Sequence, residues 1–325
     1  MFPLHLDKFL QHYRRWLDTG SLAVQQPLLD TDALRDLSLY AQSLPASLLH
    51  FQHSTVHPLI GETLSFFRGR GFEFDENRPY QAGDEPRLIN WHLYARSGNL
   101  YTKVFTEERR PQVSLIVDRR SPMRFGTREQ LKVTLAAKIA ACYAYQARHQ
   151  ALAVGGLILN QDPAWFSPAP GEIALQRYLQ ALVAPCPPLD FDAPAPDFTE
   201  LLQQLIQRTP TGCFVLLVSD FNDLNPAVAL PVLHQLATRH TVHAIQILDP
   251  VEQQPSTSGD FLIEDTASPQ PLRLDGKDSM QQRQYSELFN QRQLQLQACF
   301  EQSGVPLQIC STLDGIEQCL AQNNA

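Results

Sequence analysis

Apolar residues recur at two spacings along the chain, and the alternation between them lays out its elements. Residues 113–118, VSLIVD, are a short apolar run of buried-strand type. Leu131, Leu135, Ile139 and Tyr143 then follow at a spacing of four, one face of a helix, and Thr127 with Gln130 predicts a capping box at its start. Residues 151–159, ALAVGGLIL, return to strand. Strand, helix, strand is a βαβ unit and implies a parallel sheet. An edge hairpin or loop is expected over 161–170 and a helix over 171–183. Residues 184–197, APCPPLDFDAPAPD, hold too much proline for regular structure and read as a surface connection. Asp197 and Glu200 form a second capping box, opening a helix that runs to Arg208. Residues 213–220 read as a buried strand, Asn225 and Pro226 as N-cap and first residue of a helix ending near Arg239, and 241–248 as another strand. Residues 250–277 suit a loop with short edge strands, followed by a Gln-rich helix at about 279–302, a strand at 306–310 and a helix at 312–321. This order predicts an α/β fold with a doubly wound, mostly parallel, Rossmann-like sheet. No G-x-G-x-x-G opens any of its helices, so dinucleotide binding is not supported.

The N-terminal part is patterned differently. Phe2, Leu6, Phe9, Tyr13, Trp16 and Leu17 fall near one face of a helix over 1–20. Packing on its own domain is the favoured reading, with docking on a partner or a membrane surface as the alternative. A second helix is expected over 32–43, stopped before Pro45. Residues 46–62 read as a loop; Pro58 argues against a helix that would align His50, His53 and His57 as metal ligands.

Composition narrows the function. A net charge of −8 and a pI near 5.7 give no support for nucleic-acid binding, which goes with a basic stripe. No apolar run approaches the ~20 residues of a membrane span. Lys8, Arg14 and Arg15 interrupt any signal-peptide core, so a cytoplasmic location is expected. The six cysteines include no C-x-x-C pair and read as reduced, buried thiols rather than zinc ligands. No G-x-S-x-G elbow and no Walker loop is present, and an enzyme is not expected.

One stretch departs from both spacings. Residues 69–96, GRGFEFDENRPYQAGDEPRLINWHLYAR, interleave rings, glycines and charges with no lasting period. The run Gly69, Gly71, Glu73, Phe74, Arg78, Tyr80, Gly83, Asp84, Arg87, Ile89, Trp91, Ala95, Arg96, Gly98, Leu100, Lys103, Phe105 and Glu107 resembles the signature of bacterial domain-of-unknown-function family 58. The likeness continues through Asp118 and MRFGTR at 123–128. It implies a von Willebrand factor A-like domain over 111–325. Before it, 1–110 would form a helical N-terminal segment and an irregular signature region packed on that domain. Arg78, Tyr80, Asp84, Arg87, Trp91 and Arg96 form the signature's candidate site; an internal brace is favoured over an exposed binding surface.

Members of that family commonly accompany MoxR-type AAA+ ATPases. The resemblance therefore implies a non-enzymatic adaptor or co-chaperone of such an ATPase, with other von Willebrand A-domain proteins as further partners. In the fold it implies, Asp118 and Asp220 end strands where an adhesion-site Mg²⁺ would be held by D-x-S-x-S. Here Arg120 and Pro122 replace the two serines, so the site is degenerate and no cofactor is expected. An arginine pairing with Asp220 would take the cation's place. Arg119 and Arg120 would then offer charge to an acidic patch on the ATPase. The competing readings are a Mg²⁺-dependent ligand-binding domain and a hydrolase using the strand-end carboxylates.

Overall fold

The computed structural model describes residues 24–49, 51, 72–81, 83–107, 111–188, 196–254, 260–263, 272–275 and 278–321. The amphipathic helix expected over 1–20 and the histidines at 50, 53 and 57 lie outside them. The chain divides into two compact units, residues 54–110 and residues 1–53 with 111–325. Of the segment 1–110 that was expected to precede the main domain, residues 1–53 group with the larger unit and residues 54–110 form the smaller one. Helix α1 (Thr31–Ser43), capped by Asp30, belongs to the larger unit, and Leu28, Leu29 and Leu37 enter that unit's core.

The larger unit is built on a six-stranded sheet. In chain order its elements are β3 (Gln112–Asp118), α3 (Lys132–His149), β4 (Ala153–Leu159), β5 (Ala164–Ala169), α4 (Glu172–Val183), α5 (Phe198–Arg208), β6 (Phe214–Ser219), α6 (Pro226–Arg239), β7 (Thr241–Leu248), α7 (Pro250–Gln253), α8 (Ser279–Ser303), β10 (Leu307–Ser311) and α9 (Ile316–Ala321). A separate antiparallel pair, β8 (Asp260–Ile263) and β9 (Leu272–Asp275), lies between α7 and α8 in the chain. The smaller unit supplies β1 (Phe72–Pro79), α2 (Trp91–Ser97) and β2 (Tyr101–Glu107).

Strand order is β10-β7-β6-β3-β4-β5, with β5 antiparallel to β4 and every other pair parallel. The chain thus moves outward from β3 through β4 to one edge, then returns to β6 and moves to the other. The strand order reverses between β3 and β6, the place where doubly wound sheets open a crevice at the carboxyl ends of their strands. Alternate residues of a strand face opposite sides. Val113, Leu115 and Val117 of β3 enter the core shared with α1, α3, α4 and α9, while Ile116 faces α5, α6 and α8. Each such side chain, once buried, contributes about 1.5–3 kcal/mol.

Two local features required more than the apolar pattern. Gly156 of β4 has φ 142°, and a Cβ there would lie 2.0 Å from the carbonyl oxygen of Leu115, so β3 and β4 approach this closely only because the residue is glycine. The capping box expected from Thr127 and Gln130 does not form. α3 begins at Lys132 with no side-chain cap. Thr127 instead donates its hydroxyl and N–H to Asp249 at 2.6 and 2.9 Å, and Gln130 donates to the carbonyls of Thr312 and Asp314. A carboxylate is the stronger acceptor, and Asp249 wins the threonine. Asn225 caps α6 as expected, and Asp197 caps α5 by accepting the Glu200 N–H, the first half of the expected box.

In the smaller unit, β1 and β2 pair antiparallel, and α2 precedes β2. From Phe72 the signature runs as a strand rather than as irregular chain. Its register slips between Phe74 and Glu76, and that bulge breaks the two-residue period.

Candidate functional site

The strand reversal is bounded by Asp118, the last residue of β3, and Asp220, the residue after β6. Both are buried, at 1% exposure. Each is closed by a cation from the chain itself. Arg120 Nε and Nη2 donate to Asp118 Oδ1 and Oδ2 at 3.0 and 2.7 Å, and the Arg120 N–H adds a third bond at 2.9 Å. Ser219 donates its hydroxyl to Asp118 Oδ2 at 2.7 Å. The far side of the same guanidinium pairs with Asp223 and donates to the Pro196 carbonyl at 3.0 Å, while the Phe198 ring lies 5.6 Å from its centre. Burial alone would raise the Asp118 carboxyl, but the charge and hydrogen bonds of Arg120, with the Ser219 hydroxyl, hold it below the ordinary aspartate range.

Asp220 is met by Lys132, whose ammonium is fully buried at the first residue of α3. Nζ donates to Asp220 Oδ2 at 2.8 Å and to Glu252 Oε1 at 2.6 Å. Burial would lower the lysine; the two carboxylates outweigh it and raise the lysine above its usual value. Glu252 is placed by its own turn. It forms a capping box with Asp249 at the start of α7, accepting the Asp249 N–H at 2.8 Å. Asp249 in turn accepts from Thr127 and Thr312, so this network ties together the segments that follow β3, β7 and β10.

The backbone at the strand reversal is strained. Phe221, directly after Asp220, has φ 54° although it carries a bulky ring. It is held there by edge-to-face contact with Phe198, at 5.5 Å, and by Phe300, at 5.0 Å. Its N–H donates to Ser219 Oγ at 3.1 Å.

The expectation that Arg119 and Arg120 offer charge to a partner is corrected. Arg119 is 1% exposed and Arg120 6%. Arg119 turns to the other face of the sheet and donates to the carbonyls of Ala181 and Ala184 at the end of α4, both at 2.5 Å, and to that of Leu182 at 3.3 Å. Cationic donors suit the carbonyl end of a helix. The arginine that takes a cation's place pairs with Asp118, not Asp220. Lys132, Asp223 and Glu252 were not foreseen; a lysine extending the apolar face of α3 was the available signal.

An adhesion-site Mg²⁺ does not fit these residues. It would need free oxygens on Asp118 and a hydroxyl at position 120, where the guanidinium already takes both carboxylate oxygens. Among the described residues no group of three or more His, Cys, Asp or Glu side chains could hold a metal ion, and all six cysteines are free and buried.

The signature's candidate residues separate into two groups. Arg78 and Asp84 pair at 2.6 Å, and Asp84 also accepts from the Gln81 N–H and the Thr102 hydroxyl. Asn90 caps α2 and donates to Asn77 at 2.9 Å. Tyr80 is half-buried. Arg87 and Arg96 do not join this brace, which corrects the expected network: both are exposed, the Arg87 side chain at 90% with Glu85 3.9 Å away. Trp91 is 58% exposed rather than buried, and meets Tyr94, 42% exposed, edge-on at 6.1 Å.

A curated relative, an uncharacterized protein of Mycobacterium bovis, is 28% identical over 239 residues, 73% of this chain and 70% of the relative. Among solved structures, a von Willebrand factor type A protein from Catenulispora acidiphila shares 8% identity, with a TM-score of 0.37 over 68% of this chain and 42% of that one. An aerotolerance-related membrane protein from Bacteroides fragilis shares 10% identity, with a TM-score of 0.34 over 66% of this chain and 96% of that one. The second of these corrects the expected cytoplasmic location. The lack of a long apolar helix does not by itself assign a compartment. Among the described residues no helix is long and apolar enough to cross a membrane. The architecture is a mostly parallel α/β sheet, and the family model for the protein of unknown function DUF58 matches residues 76–295. This chain belongs to the DUF58 family.

Proposed function

We propose that this chain is a non-enzymatic protein-interaction module, an adaptor or co-chaperone that works with a MoxR-type AAA+ ATPase on another protein complex. The choice of partner rests on the family resemblance. The observation that carries the interaction reading is the exposed aromatic pair of the signature, Trp91 and Tyr94, flanked by the exposed Arg87 and Arg96. Trp, Tyr and Arg dominate the energetics of protein interfaces. At the sheet edge, by contrast, Arg120 and Lys132 occupy the carboxylates that a Mg²⁺-dependent ligand domain or a carboxylate hydrolase would use.

The test is capture of the purified ATPase by wild type and by Trp91→Ala/Tyr94→Ala. The double variant is expected to keep its melting temperature and lose at least tenfold in affinity. Undiminished capture by that variant, or no capture by wild type with or without ATP, overturns the reading.

A further inference from the structure

Five oxygen groups or atoms converge on the one guanidinium of Arg120: both carboxylate oxygens of Asp118, both of Asp223, and the carbonyl of Pro196. The Ser219 hydroxyl completes the set through Asp118. These are hard, anionic or dipolar ligands, the kind that Mg²⁺ and Mn²⁺ select. Arg120 stands two residues after Asp118, at the position of the first serine in D-x-S-x-S. Lys132 does for Asp220 what Arg120 does for Asp118. Two single positive charges, each tethered to the chain, thus meet the carboxylates at the two strand ends.

We infer that Arg120 is a built-in replacement for a divalent cation, holding the sheet edge closed without metal, and that its removal uncovers a Mg²⁺ or Mn²⁺ site made of Asp118, Asp223 and Ser219. The replacement has a geometric basis. A guanidinium is a flat fork that can take one carboxylate along one side and another along its far side, as it does here. A metal would draw the same two carboxylates onto one point. The arginine keeps them a fork's width apart and links the turn after β3 to the turn after β6 permanently. The edge therefore responds neither to the metal content of its compartment nor to chelators. This holds whatever partner the chain binds.

The experiment compares wild type with Arg120→Ser, which restores the motif's hydroxyl. Bound Mn²⁺ is read by paramagnetic resonance, and thermal unfolding is followed in EDTA and in millimolar Mg²⁺. Wild type is expected to hold no Mn²⁺ and to melt at one temperature in both solutions. Arg120→Ser is expected to melt lower in EDTA, to bind one Mn²⁺, and to rise by several degrees with Mg²⁺, since a ligand of the folded state stabilises it. If Arg120→Ser fails to fold in EDTA, refolding in Mg²⁺ decides: recovery of folded protein supports the inference and no recovery overturns it. Mn²⁺ bound by wild type and lost in Asp118→Asn would also overturn it, as would an Arg120→Ser protein that folds but ignores both ions.

Discussion

Lys132 Nζ lies 2.8 Å from Asp220 Oδ2, across 88 residues of chain, and the lysine has no exposed surface. Its other bond goes to Glu252 at 2.6 Å. Replacing Lys132 with methionine keeps the volume and leaves two buried carboxylates facing one another. Breaking a buried pair in this way costs about 3–5 kcal/mol. Urea unfolding of Lys132→Met should show a loss of that size. A loss below about 1 kcal/mol would mean that these carboxylates do not depend on the lysine.

The signature gives the opposite expectation for one of its arginines. Arg87 is exposed and, among the described residues, makes only a long contact with Glu85, so Arg87→Ala should stay within about 0.5 kcal/mol of wild type. Asp84→Ala should cost about 1–3 kcal/mol, because Arg78, the Gln81 N–H and Thr102 all donate to it. Denaturant titration of both variants checks the ranking. Equal losses would return Arg87 to the brace.

Stability should fall in acid through Asp118 and Asp249. Burial opposes both charges, yet the bonds from Arg120 and Ser219 to one, and from Thr127, Val251 and Thr312 to the other, hold both carboxyls below the ordinary value. A depressed folded value means that the stabilisation is complete above the unfolded value, about 3.9, and is lost as pH falls through the folded one. The unfolding midpoint should drop steeply below about pH 4. Asp118→Asn, less stable at neutral pH, should show a shallower drop there. A parallel pair of curves would exclude Asp118 as a source of the acid limb.

Gly156→Ala tests the close approach of β3 and β4. The added methyl would meet the Leu115 carbonyl at 2.0 Å on a backbone with φ 142°. A loss of about 3 kcal/mol or more is expected, in the range of overpacking with backbone strain. Thermal melting measures it. A mild variant would show that the strands can separate at this point.

Much of this could be read along the chain, and the limits have physical causes. Strand-end carboxylates are visible because the apolar run stops where the strand ends, as it does at Asp118 and Asp220. Lys132 was hidden because a lysine at the start of an apolar helix reads as a snorkelling surface residue until its two partners are known. Those partners lie 88 and 120 residues away. Trp91 was expected inside because large rings usually are buried, and only the fold of the smaller unit leaves it out. β1 was missed because its bulge breaks the alternation that identifies a strand.

Arg119 and Arg120 are neighbours in sequence, yet one fastens the end of α4 and the other the turn after β6. The partners lie 62 to 103 residues along the chain. Bonds over such spans form only once the intervening chain has been ordered, because the entropy of closing the loop is met first. They are therefore expected to form late, after the barrier to folding. Interactions absent from the transition state act on the rate of unfolding and barely on the rate of folding. The paired arginines are thus a kinetic lock: losing either should shorten the lifetime of the folded chain while leaving its speed of folding almost unchanged.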